Sequence, residues 1–135
     1  MRKRSQKTLI RKLDEVFSRY IRLRDADEHG YIRCISCGRI HHFSKMHNGH
    51  FINRKHMSTR FDEQNCNGQC IKCNMYDEGC NAGYEFGLKR KYGPQIINIL
   101  YLRKHTYKKW DSFELEALIE HYKKEVKKLE YKLNH

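Results

Sequence analysis

Cys34-Ile35-Ser36-Cys37 and Cys70-Ile71-Lys72-Cys73 each set two thiols with two residues between them. At that spacing two thiolates grip one tetrahedral Zn2+ from a tight turn, and two such turns close a four-sulfur site. A zinc held by four thiolates has no open coordination position, so it is structural and catalysis must come from elsewhere. A redox CxxC fits less well, since it needs one pair in a thioredoxin-like setting. Thirty-two residues separate Cys37 from Cys70, more than a simple ribbon needs, so something is held inside that loop. In or beside it lie His47, His50, Asn65 and Asn74. Cys66 and Cys80 fall outside both pairs and read as free thiols, and His41 and His42 as exposed strand residues.

Several elements must position these residues. Leu9, Leu13, Val16, Phe17, Tyr20 and Ile21 recur at helical spacing, which predicts an amphipathic basic helix over residues 5–24. From Gly30 to Asn53 the pattern shortens to YIRC, a CxxCG turn, RIHHF and GHFI, short strands around tight turns. Residues 54–69 are polar and rich in turn formers and read as a loop anchored by Phe61, after which CIKCNMYDEG opens a helix. Two helices are predicted at about 81–92 and 94–105, with Gly93 ending one and Pro94 starting the next. A last helix opens at Asp111 or Ser112, with Glu114 as capping-box partner and Leu115, Leu118, Ile119, Tyr122, Val126, Leu129 and Leu133 on one stripe. That stripe outlasts what a small core needs, so its final turns offer a homodimer seam as well as a packing face.

The chain reads as one domain of 135 residues: a basic N-terminal helical part (1–29), a zinc-bound core (30–80) and a helical C-terminal part (81–135). Lys and Arg number 28 against 16 Asp and Glu, a formal net charge of +12, which marks a polyanion binder and favours DNA as partner. An anionic membrane surface fits less well, because the helices carry broad core-type stripes without a Trp-rich interfacial face. The start MRKRSQKTLI has no apolar h-region and no run is apolar enough to span a bilayer, so a cytoplasmic location is expected and disulfides are not.

Several motifs in order, CISCG, MHNGHFINR, TRFDEQN, QCIKCN and GYEFGLKRKYGPQ, resemble the NinG family of lambdoid phage recombination proteins, also called Rap, over about residues 9–110. The resemblance implies an α+β fold: a zinc-stapled treble-clef, ββα-metal core of the HNH nucleases, flanked by N- and C-terminal α-helices. It also implies cleavage of branched recombination intermediates, Holliday junctions included, by a phage protein in a bacterial host cell. Residues alone, without it, give a zinc-containing nucleic-acid binder.

Carried over position by position, His50 matches the first His of the HNH pattern, the general base that activates water. Asn65 matches the middle Asn, which orients that base, and Asn74 the last position, a ligand for catalytic Mg2+ or Mn2+. Many such sites have an Asp before the base, where this chain has Gly49. His47 is the first substitute for that second ligand, with Asp62 or Glu63 behind it. Arg54, Lys55 and Arg60 follow the catalytic strand and Arg11, Lys12 and Arg19 lie on the N-terminal helix, two candidate DNA-binding surfaces. Competing readings are a non-catalytic zinc module that binds nucleic acid and a general duplex or homing-type endonuclease.

Overall fold

A computed structural model describes residues 5–76 and 81–134. The long first helix α1 spans Gln6–Asp25 and is capped by Ser5, whose hydroxyl accepts from the Thr8 N–H. Its stripe of Leu9, Leu13, Phe17 and Ile21 is buried against α5, Ser112–Asn134, through Leu115, Ile119 and Tyr122. Phe17 sits at the centre, edge-on to Phe61 and Tyr122. The Asp111/Glu114 capping box forms as expected, the Glu114 N–H reaching Asp111 Oδ1 at 2.8 Å and the Asp111 N–H reaching Glu114 Oε1 at 3.4 Å. Toward the end of α5, Leu129 and Leu133 are half-buried.

Between these helices lie two small antiparallel hairpins. β1, Tyr31–Arg33, pairs with β2, Ile40–His42, and the first CxxC occupies the turn between them. β3, Met46–His50, pairs with β4, Cys66–Cys70, setting Asn48 opposite Gly68 and His50 opposite Cys66. Residues 54–69 therefore do not form a continuous loop: they contain a one-turn helix α2, Met57–Arg60, and the strand β4. Likewise β3 ends at His50, so Phe51 and Ile52 fall beyond the expected strand. β4 escapes the hydrophobic alternation of ordinary strands because it is buried throughout although Asn67 and Gln69 are polar. Its polar groups are bonded from other elements. The Gly68 N–H donates to Asp25, Asn67 receives Arg24 and Lys91, and Gln69 donates to Ser36.

After β4 the second CxxC runs into a π-helical turn, Lys72–Tyr76; Cys80 lies outside the described residues. The helix α3, Asn81–Tyr92, ends at Gly93, whose φ of 100° suits the left-handed residue that follows a helix. α4, Ile96–Lys104, begins two residues after Pro94, with Gln95 rather than the proline at its start. The face of α3 toward the first knuckle carries Gly83 and Gly87. A Cβ at Gly87 would stand 2.0 Å from the Ile35 carbonyl oxygen, so the helix seats directly on the cysteine turn. Tyr84, Leu88, Ile96, Ile97 and Leu100 form a separate apolar cluster with Ile52. Among the described residues no helix is long and apolar enough to cross a membrane.

Candidate functional site

The two knuckles meet. The sulfurs of Cys34, Cys37, Cys70 and Cys73 all lie within 4.8 Å of one another, and Cys37 Sγ and Cys70 Sγ are 3.7 Å apart. A tetrahedral zinc with Zn–S bonds of about 2.3 Å requires sulfur separations of ~3.8 Å, so this cluster fits the ion. Backbone amides support it: the Cys70 N–H points at Cys34 Sγ and the Cys73 N–H at Cys70 Sγ. Ile32 and Met46 pack beside three of the cysteines. Among the described residues no other group of three or more Cys, His, Asp or Glu ligand atoms converges in this way. Cys66 is a free thiol as expected, wholly buried in the α1–α5 core, and that burial pushes its pKa well up.

A second, open region borders β3. One cleft of about 460 Å³ is lined by Asn48, His50, Phe51, Arg54 and Asn74 among others. An adjoining one of about 420 Å³ shares Asn48, Arg54 and Asn74 and adds Ser18, Arg22 and His47. Together they form a groove that joins His47, His50 and Asn74 from strand and π-helical turn, with Arg54 at both parts.

Within this groove His50 Nε2 lies 2.9 Å from the Arg60 carbonyl oxygen. A carbonyl only accepts, so Nε2 carries the proton and Nδ1 keeps its lone pair. Burial lowers the His50 pKa to about 4, so the ring is neutral across physiological pH. The Asn65 side chain bonds the backbone around the ring and not the ring itself. It takes the Ile52 N–H at 2.8 Å and donates to the carbonyls of Ile52 and Thr59, fixing both ends of the segment that delivers the Arg60 carbonyl. The Tyr84 hydroxyl adds a second brace, donating to the Gly49 carbonyl at 2.6 Å. Sequence reasoning missed this tyrosine, since only the packing of α3 brings it near residue 49.

The Asn74 amide sits 2.9 Å from His47 Nδ1, so these two expected ligands are side by side. Beside them is Asn48, whose Oδ1 is buried without a hydrogen-bond partner. Such an orphaned oxygen costs about 1–3 kcal/mol unless something meets it. The sequence reading passed over Asn48, although it differs from His50 by the two-residue step that places strand side chains on one face. A Cβ at Gly49 would stand 2.1 Å from Gln69 Oε1 and 2.7 Å from Gln69 Cβ, so an aspartate before His50 would require the buried Gln69 side chain to move.

Other expected residues are engaged elsewhere. Asp62 pairs with Arg103 at 3.0 Å and lines neither part of the groove. Glu63 accepts from the hydroxyls of Tyr20 and Tyr122. Arg60 forks onto Asp14 and also bonds the Arg54 carbonyl, tying α2 to α1, and Arg19 pairs with Glu130 at 2.8 Å. Arg11, Arg54 and Lys55 are exposed and Lys12 is half-buried. The guanidinium of Arg22 packs along the start of β3, bonding the Ser18 and Phe43 carbonyls; its pKa is lowered by burial and by nearby Arg19.

These features define a small α+β protein with a four-cysteine cluster able to hold zinc and, against it, an open polar groove. The family profile of the bacteriophage lambda NinG protein matches residues 1–132, and the chain belongs to that family of phage proteins. "Protein ninG" of Escherichia phage 933W is 27% identical over 121 residues, covering 89% of this chain and 57% of that protein. The protein of the same name from Salmonella phage P22 is also 27% identical over the same coverage, and that of Escherichia phage lambda 26%, covering 56% of its length. The chain thus spans a little over half the length of the curated relatives it matches. No solved structure matches it.

Proposed function

We propose that this chain is a metal-dependent DNA endonuclease of the HNH type, a treble-clef ββα-metal module acting on branched recombination intermediates such as Holliday junctions. The observation that carries the reading is His50: a neutral imidazole with its proton fixed on Nε2, in the same groove as the adjacent His47 and Asn74. That is the arrangement a general base needs beside a weak metal site of mixed nitrogen and oxygen donors. The β3–β4 hairpin followed by the Lys72–Tyr76 turn supports the ββα description.

His47 Nδ1 and an Asn74 side-chain oxygen would hold the catalytic cation; amide oxygen and nitrogen exchange by a simple flip, so the present 2.9 Å contact suits both. Bound Mg2+ or Mn2+ supplies charge stabilisation for a phosphodiester under attack. His50 Nδ1 takes a proton from water, Asn65 and Tyr84 hold the strand that aims it, and Arg54 meets the phosphate. The four-cysteine zinc fixes the frame and takes no part in chemistry. Symmetric cutting of a four-way junction needs two such sites, which a homodimer supplies.

A nicking assay on four-way and linear DNA, with and without Mn2+, tests the reading. The parent protein is expected to cut branched DNA only with the metal, and His50→Ala to lower the rate about 100–10,000-fold while zinc content and DNA affinity persist. Cutting by His50→Ala at the parent rate, or no cutting by zinc-loaded parent, would leave a non-catalytic zinc module as the better account.

A further inference from the structure

A second basic surface lies apart from the groove. It is a cleft of about 400 Å³ bounded by Arg24, Asp25, Arg33, Ile35, Arg90 and Lys91, where α3 crosses the first cysteine turn. We propose that this cleft binds the phosphate backbone of a nucleic acid, as a site separate from the catalytic groove.

Charge carries the argument furthest. Four cations line the cleft against the single carboxylate of Asp25, a formal excess of three. Asp25 is already committed. It accepts Arg24 at 2.8 Å, Lys91 at 3.0 Å and the Gly68 N–H at 2.8 Å. Burial alone would raise its pKa, but the two cations and that N–H hold the carboxyl below its usual range, so it stays ionised. Its charge is thus spent on Arg24 and Lys91, leaving the exposed Arg33 and Arg90 without a carboxylate partner among the described residues. Arg33 gives one bond, to the Gly38 carbonyl, and Arg90 lies over the exposed Phe86 ring. Neither contact removes charge. A guanidinium in this state is the usual partner of a phosphodiester oxygen.

Placement supplies the rest. No residue of this cleft lines the groove, yet Gly68 here is the strand partner of Asn48 there. The two surfaces flank one hairpin, so a polyanion with more than one backbone segment can occupy both. The competing account is that Lys89, Arg90 and Lys91 merely complement the C-terminal dipole of α3.

The inference rests on DNA being the substrate, and its test reads binding with no Mg2+ or Mn2+ added. Affinity of the zinc-loaded full chain for labelled four-way and linear DNA is measured across salt concentrations. Arg33→Ala/Arg90→Ala is compared with Arg33→Lys/Arg90→Lys and with Lys124→Ala/Lys127→Ala, an exposed pair on α5 that removes equal charge. The slope of log affinity against log salt is expected to fall by about 2 in the cleft alanine variant, near 0.9 per lost phosphate contact. The lysine variant and the α5 control should keep the parent slope, and zinc content and unfolding midpoint should not move. An unchanged slope, an equal fall in the α5 control, an equal fall in the lysine variant, or a parent that binds no DNA would overturn the proposal. Loss of slope without cleavage sinks only the nuclease reading; cleavage with an unchanged slope sinks only the cleft.

Discussion

The cysteine cluster and the groove both draw on the β3–β4 hairpin and are built in opposite ways. In the cluster four identical soft donors converge within 4.8 Å, three of them buried, so the site is closed and chemically uniform. In the groove the donors are mixed, two imidazoles and four amides, and one buried amide oxygen has no partner. A closed thiolate site holds an ion for the fold; a mixed, open one leaves coordination positions for water and substrate.

The largest expected effect breaks the cluster. Cys70→Ser removes one thiolate from a site whose metal binding is coupled to folding, a term of about 10–16 kcal/mol for structural zinc in small domains. Elemental analysis should show zinc falling below one per chain, and calorimetry should lose the cooperative transition. A variant that loses its zinc yet keeps the cooperative transition would mean that the α1–α5 core folds without the ion.

A smaller effect belongs to the groove and depends on pH. The folded-state pKa of His50, about 4, lies below its ordinary value of 6.5, so the unfolded chain binds more protons between those two values. Stability from the neutral ring is therefore complete above pH 6.5 and is lost as pH falls toward 4, by about 3 kcal/mol. Denaturant titrations of parent and His50→Gln should converge over that window by roughly this amount. Acid release of zinc affects both proteins alike, so parallel stability curves would show that the ring is not held neutral.

The same contrast explains what was legible in the sequence. The CxxC pairs and the α1 and α5 stripes are local patterns, set by turn geometry and helical period, and each is where its spacing puts it. The groove's supports are not local. Tyr84 reaches the Gly49 carbonyl across 35 residues, and Arg60, expected to hold phosphate, is drawn onto Asp14 across 46. The strand β4 lacks hydrophobic alternation because its stability comes from Arg24, Asp25, Lys91 and Ser36 on other elements. The roles proposed for His50, Asn65 and Asn74 rest on family resemblance and not on any local pattern. That Asn65 acts on the segment around His50 required the fold.

The division between a closed structural zinc and a separate exchangeable cation is tested most directly by electron paramagnetic resonance of Mn2+ added to zinc-loaded protein. The parent should bind one Mn2+ per chain, and Asn74→Ala should lose that signal while retaining one zinc and its unfolding midpoint. A parent that binds no Mn2+, or an Asn74→Ala variant that binds it as tightly as the parent, would contradict the account.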